Sequence, residues 1–124
     1  MLKDGKMELW NPGDIEANFI LLMKPDSEGS ISIGDKTLSW KGFKLESEDS
    51  KVGINSKLNL IEGYDNGKKT GNIYNKYFSG FFFKIPVNKL VDASQQELKD
   101  KYESPEMLIN GATDVSIKYN YYYL

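Results

Sequence analysis

The chain has 124 residues, of which 40% are hydrophobic and 27% charged, so one globular domain over residues 1–124 is predicted. Its 18 acidic and 16 basic groups leave a net charge of −2, which argues against a phosphate-neutralising surface and predicts no direct contact with nucleic acid. No cysteine is present, which excludes a disulfide-stapled module.

The chain also lacks several side chains that enzymes use most often. Every basic group is a lysine, and histidine is absent along with cysteine. The usual general base near neutral pH, the commonest metal-binding ring and the thiolate nucleophile are therefore missing. Asp, Glu, Lys and Tyr remain, and these catalyse when their surroundings shift their pKa values. We predict a protein that is not an enzyme, with no catalytic residues, no bound metal and no cofactor.

The apolar runs of the chain are short. The longest spans 19–23, far less than a membrane-crossing helix needs. No apolar stretch follows the charged residues at the start of the chain, so no secretion signal is visible. We expect a cytoplasmic protein that does not contact a membrane.

The first half of the chain is predicted to form short strands. Residues 7–10 alternate in polarity, and residues 18–23 are apolar enough for a buried strand. The strongest signal is the hairpin 30–40, in which Gly34-Asp35 joins two alternating runs. One face of this hairpin carries Ile31, Ile33, Leu38 and Trp40.

Further strands are predicted beyond the acidic loop 46–50. Residues 52–61 give one or two strands, and a second hairpin is expected at 65–67 with 72–77 returning. Residues 78–85 are the most apolar segment, which indicates a central strand covered on both faces. A phosphate-binding loop at 63–70 is not supported, because three residues separate its first glycine from Gly67-Lys68 where four are needed.

One region near the C-terminal end has helical signals. Ser94-Gln-Gln-Glu97 matches a capping box, in which the serine and glutamate side chains satisfy free backbone amides. Ser104-Pro105-Glu106 is typical of the start of a second, short helix, which Gly111 would end. We therefore predict one helical segment over about 92–109.

The last residues, 114–124, show the clearest period-two pattern of the chain. The pattern places two sets of side chains on opposite faces of a strand: Val115, Ile117, Tyr119, Tyr121 and Tyr123 against Ser116, Lys118, Asn120 and Tyr122. The predicted fold class is therefore α+β and β-rich. It consists of a mainly antiparallel sheet, curled or arranged as a small sandwich, with the helical segment placed before the C-terminal strand.

Aromatic side chains supply the candidate binding residues. The chain has 8 Tyr and 2 Trp, more than one small core can bury with every polar atom satisfied. Because Tyr and Trp are enriched at interface hot spots, we predict binding roles for Trp10, Trp40, Tyr64 and Tyr122. The acidic loop residues Glu46, Glu48 and Asp49 are expected to steer a basic partner toward the protein.

These features favour a non-catalytic protein-binding module that occludes a macromolecular partner. A bacterial immunity protein or a phage-encoded inhibitor of host defence has this size and composition, and its partner would be a basic toxin or nuclease. One alternative is a carbohydrate-binding module whose aromatic side chains stack on sugar rings. Another is a structural subunit of a phage or secretion assembly, in which the regular terminal strand joins a neighbouring sheet.

Overall fold

The computed structural model describes residues 5–45, 50–90 and 102–123. These residues form antiparallel β-strands and a single 3₁₀ turn at Asn75–Tyr77. The strands are β1 (Lys6–Glu8), β2 (Phe19–Ile33), β3 (Lys36–Lys41), β4 (Lys51–Asn55), β5 (Leu60–Asp65), β6 (Lys68–Ile73), β7 (Phe78–Gly80), β8 (Lys89–Leu90), β9 (Tyr102–Glu103) and β10 (Glu106–Tyr119). The predicted β-rich, mainly antiparallel architecture is confirmed.

Two long strands organise the main sheet. β2 and β10 pair from Phe19↔Tyr119 to Ile33↔Met107. On its other side, β2 pairs first with β4 and then with β3, so the sheet divides into two halves. One half continues through β4, β5 and β6, and the other continues through β3 and β7. β1 adds to the start of β10 on the side away from β2.

Both halves of the sheet face one hydrophobic core. Alternate side chains of β2 are buried in this core, both where β2 pairs with β4 and where it pairs with β3. They are Phe19, Leu21, Met23, Ile31 and Ile33. β10 carries irregularities in its pairing beside the middle of β2, and such bulges bend a strand. The Phe43 and Tyr74 rings, which follow β3 and β6, lie 5.5 Å apart between centroids and join the two halves.

Two irregular segments, 10–18 and 81–88, are bonded to each other beside this core. Ala17 and Ile85 exchange backbone hydrogen bonds of 2.9 and 2.8 Å. Asn11 is fully buried, and its Nδ2 donates to the Ile85 carbonyl oxygen at 3.1 Å. The Asn11 backbone amide donates to Asn88 Oδ1 at 2.9 Å. Asn11 thus satisfies backbone groups of both segments that strand pairing leaves unpaired.

The predicted hairpins are confirmed. Ile33 pairs with Lys36 across the Gly34-Asp35 turn, and the four predicted face residues are buried. Asp65 pairs with Lys68 across Asn66-Gly67, whose φ values of +52° and +79° suit a tight hairpin turn. The returning strand is β6, which begins at Lys68 and ends at Ile73, so it starts earlier than predicted.

The predicted central strand 78–85 is wrong. β7 ends at Gly80, pairs only with β3 among the described strands, and lies at an edge of the sheet. Beyond it the chain leaves the ladder, with Phe81 69% exposed and Phe83 5% exposed. Pairing partners, which local hydrophobicity does not reveal, decide whether an apolar run becomes a central strand.

The predicted helix is not confirmed. The capping-box residues Ser94–Glu97 lie outside the described residues. Residues 102–103 and 106–109, which the prediction made helical, are β-strand. Met107 and Ile109 are buried between β1 and β2 while Leu108 is exposed, which is the two-residue period of a strand. The C-terminal strand therefore begins at Glu106, where a helix start was predicted.

Candidate functional site

The residues proposed from the sequence fall into three groups. Trp10 and Tyr122 are 49% and 55% exposed, as a contact residue must be. Trp40 and Tyr64 are buried, at 3% and 7% exposed. The acidic loop residues Glu46, Glu48 and Asp49 lie outside the described residues.

Trp40 is a core residue, which corrects its proposed binding role. Its ring packs on Phe78 at 5.3 Å between centroids. Its Nε1 donates to the Asp26 carbonyl oxygen at 3.0 Å, so the polar atom of the ring is satisfied inside the protein. The face of the tryptophan that a partner would need is therefore covered.

Tyr64 lies on the outer face of the sheet but is covered by neighbouring strands. A Cβ atom at Gly53 would overlap the Tyr64 ring, so the glycine leaves the space into which the ring leans. Leu22 borders the same space. Tyr64 therefore forms a wall of the outer surface, and its ring face is not free for stacking, which corrects its proposed anchoring role.

Two shallow clefts of about 240 and 300 Å³ adjoin on this outer face. Both are lined by Ile20 and Lys118, so together they form a single outer-face groove. The groove is defined here by Ile20, Leu22, Asn55, Lys57, Tyr64, Ser116, Lys118, Asn120 and Tyr122. Period two explains the lining, because Ile20 and Leu22 alternate with the core residues Phe19, Leu21 and Met23.

Among the described residues, the charged side chains that line the groove are Lys57 and Lys118, and none of the lining residues carries a carboxylate. Two other surface clefts differ, since one is lined by Glu28 and the other by Glu103 and Glu106. Lysine side chains without neighbouring acids favour negatively charged groups on a partner.

Glu62 lies on the same face and is 8% exposed. Its Oε1 lies 3.5 Å from Lys69 Nζ, which is an ion-pair distance. The same oxygen accepts no hydrogen bond from the described residues. Because Lys69 is half exposed, the pair is partly screened by water. We therefore read Glu62 as a carboxylate balanced by Lys69.

Exposed aromatic side chains lie where the chain passes from β10 to its last described residues. The Tyr119 hydroxyl donates to the Trp10 carbonyl oxygen at 2.9 Å, and the Asp14 amide donates to the Tyr122 carbonyl oxygen at 2.7 Å. These bonds hold segments 10–14 and 119–122 together. The aromatic end is defined by Trp10, Tyr121, Tyr122 and Tyr123, whose exposed fractions range from 43% to 67%.

Tyr122 joins the aromatic end to the outer-face groove, because it belongs to both. Tyr121 and Tyr123 contact edge to face at 6.2 Å, so they present a joined apolar surface. Burial, and then the nearby Tyr121 hydroxyl, raise the pKa of Tyr119 above its ordinary value. A neutral Tyr119 keeps its hydrogen bond to the Trp10 backbone.

Sequence reasoning missed Ile20, Leu22 and Lys57 as groove residues. The first two could have been found from the alternation around Phe19, since the residues between core positions face outward. Lys57 follows β4 in a turn, where the amides of Lys57 and Leu58 donate to Asn55 Oδ1 at 3.1 and 3.2 Å. No local pattern indicates that this turn lies beside β10.

Within residues 5–45, 50–90 and 102–123, no group of three or more Asp and Glu side chains is placed to hold a metal ion. The same residues include no helix with the length and apolar character needed to cross a membrane. The residues that line the groove offer apolar side chains, hydrogen-bonding groups and two lysine side chains. Comparison with protein-family models, with curated proteins and with solved structures gives no match to this chain.

Proposed function

We propose that the chain is a non-catalytic protein-binding module that occludes part of a partner protein. The observation that carries the proposal is the continuity between the aromatic end and the outer-face groove through Tyr122. Exposed tyrosine and tryptophan side chains give large contact areas at low entropic cost. An adjoining apolar and hydrogen-bonding groove adds area and specificity to such a contact.

The proposed partner is another protein in the cytoplasm. A basic partner, such as a toxin or nuclease, was predicted from the acidic loop 46–49, and that prediction rests on those residues alone. The described groove has the opposite charge preference, because its charged lining residues are lysines. The proposal therefore combines an inhibitory role of the immunity-protein kind with a partner whose contacting surface includes carboxylates.

Carbohydrate binding is the second candidate, and three asparagine residues in the same cleft as Tyr122 favour it. Asn18, Asn55 and Asn120 line the cleft that Tyr122 borders. The side-chain oxygens of Asn18 and Asn55 already accept internal hydrogen bonds, so these residues can offer amide donors to a ligand. Tryptophan stacking by Trp40 is not part of this candidate, since that ring is buried.

Affinity capture with matched variants tests the leading proposal. Immobilised wild type, Tyr122→Ser and the control Tyr102→Ser are exposed to native lysate, and the bound proteins are quantified by mass spectrometry. Tyr102 is a fair control because it is 50% exposed and lies in β9. We expect one protein bound in stoichiometric amount by wild type and control, and reduced about tenfold by Tyr122→Ser, a loss typical of an interface anchor.

Equal capture by all three proteins, or capture of no stoichiometric protein, would contradict the proposal. A glycan array separates the second candidate from the first. Binding of a defined glycan that Tyr122→Ser abolishes, together with an empty capture experiment, would favour carbohydrate binding.

A further inference from the structure

We propose that the partner contributes an extended, acidic segment that adds as a strand to the free edge of β10, with its carboxylates beside Lys118. This inference rests on the proposed function and names its binding mode. It depends on three features of β10: its unpaired side, the side chains that flank this side, and the bulge at Asp114.

The unpaired side of β10 follows from the strand pairing. β2 pairs with β10 from Met107 to Tyr119 and so occupies one side throughout. β1 must occupy the other side, where strand pairing covers 106–108 and a hydrogen bond from the Ile109 amide to Gly5 extends it. Beyond Ile109, no strand among the described residues pairs with this side. The described strands therefore leave the backbone donors and acceptors on this side of β10 to an added strand.

Side chains on both faces of this edge set the chemistry of the occupant. On the core-facing side, Val115, Ile117 and Tyr119 are half-buried and pack against the core. On the outer face, Ser116 and Lys118 are exposed and line the groove. An added strand with apolar residues on one face and carboxylates on the other would match both sets, because cross-strand neighbours interact directly.

Charge complementarity selects a carboxylate over an amine. Lys118 shares its cleft with Lys57, and no acidic residue lines that cleft within 5–45, 50–90 and 102–123. A glutamate on the added strand opposite Lys118 would gain an opposite-charge pair, whereas a lysine there would face a like charge.

A second copy of this chain is a less suitable occupant. Antiparallel self-pairing about Ser116 would place Asp114 opposite Lys118 of the other copy. Asp114, however, has a φ of +51° within a bulge, so the ladder is irregular at that position. Asp114 Oδ2 also lies 3.4 Å from Lys24 Nζ, so its charge already has a partner. A foreign acidic segment that pairs only with residues 115–119, beyond the bulge, avoids both conflicts.

Synthetic peptides test the proposal directly. The probe is acetyl-Thr-Val-Glu-Val-Glu-Val-Thr-amide, and the comparison peptides replace both Glu by Lys or carry N-methyl groups on alternate residues. Backbone amide NMR shifts of the 124-residue protein report the site and the affinity. We expect the Glu peptide to shift amides of residues 115–120 and to bind about tenfold more tightly than either comparison peptide.

Two charge variants complete the test. Lys118→Glu should reverse the preference between the Glu and Lys peptides, because it inverts the charge at the position that the added side chain faces. Lys36→Glu makes the same charge change at the exposed end of β3 and should leave the preference unaltered. Both sites are exposed, so neither variant is expected to impair folding.

Equal binding of the Glu and Lys peptides, full binding of the N-methylated peptide, or no shift of amides 115–120 at millimolar peptide would each overturn the inference. Dimer formation in light scattering that Lys118→Glu disrupts would do the same, by making a second copy the occupant. The proposed function fails separately, since it fails only when capture yields no Tyr122-dependent protein partner.

Discussion

The two groups of aromatic side chains in this protein have opposite surroundings. Trp40, Phe43, Tyr74 and Phe78 cluster where the two halves of the sheet meet, with ring centroids 5.3 to 6.1 Å apart where they touch. The aromatic end also contains Trp and Tyr, yet its residues are 43% to 67% exposed. Residue type therefore does not decide between packing and binding. Whether an aromatic side chain is buried depends on which face of the strand it lies on and on which element packs against that face.

Replacing one tryptophan from each group gives the largest expected contrast. Trp40→Ala should lower the free energy of unfolding by about 3–5 kcal/mol, because it removes a buried ring and leaves a cavity. Trp10→Ala should lower it by about 0.5 kcal/mol or less, since half of that side chain is already in water. Urea unfolding monitored by circular dichroism measures both values. Similar losses for the two variants would show that the comparison is wrong.

Replacing the buried Asn11 compares two sources of stability. It tests whether polar contacts stabilise segments 10–18 and 81–88 as strongly as aromatic packing stabilises the core. Asn11→Ala should lower the free energy of unfolding by about 2–4 kcal/mol, because buried carbonyl groups of Ile85 and Pro86 lose a donor. Asn120→Ala is the control, as Asn120 is exposed and should change the value by about 0.5 kcal/mol or less. An equal effect of both variants in the urea experiment would argue against this role.

Tyr119 lies between the two groups, and its titration gives the smallest expected effect. Its raised pKa means that the folded protein retains a proton that the unfolded chain loses at about pH 10. The resulting stabilisation is complete below that pH and is lost as the pH rises through the folded-state pKa. Tyr119→Phe should therefore flatten the fall in urea midpoint that the wild type shows above about pH 10. An unchanged fall in Tyr119→Phe would contradict the prediction.

The hairpins could be predicted from the sequence, but the strands whose partners are distant in sequence could not. Gly34-Asp35 and Asn66-Gly67 specify their turns locally, so both hairpins could be predicted. Residues 106–109 carry Ser-Pro-Glu signals that favour a helix start, yet pairing with β1 and β2 makes them strand. Those partners are distant in sequence, so local propensity does not identify them.

The sequence predicted only those parts of the candidate site that follow from the alternation of side chains along a strand. Alternation along the last strand placed Tyr122 with Lys118 and Asn120, and all three line the same cleft. The alternation over 30–40 placed Trp40 on the apolar hairpin face, which favours burial, whereas burial of Tyr64 could not be foreseen. Glycines in neighbouring strands leave the space for both rings. A Cβ at Gly29 would overlap Trp40, and a Cβ at Gly53 would overlap Tyr64.

The pairing of Phe19 with Tyr119 has a consequence for how the protein is made. Both halves of the sheet share the ladder between β2 and β10, and these two strands lie far apart in the sequence, at 19–33 and 106–119. A ribosome must release residue 119 before this ladder can close, so the nascent chain carries β2 without its main neighbour during synthesis. Closing so long a loop is slow relative to local hairpins. Truncation before β10 should therefore abolish cooperative folding of the whole molecule, including strands that do not contact β10.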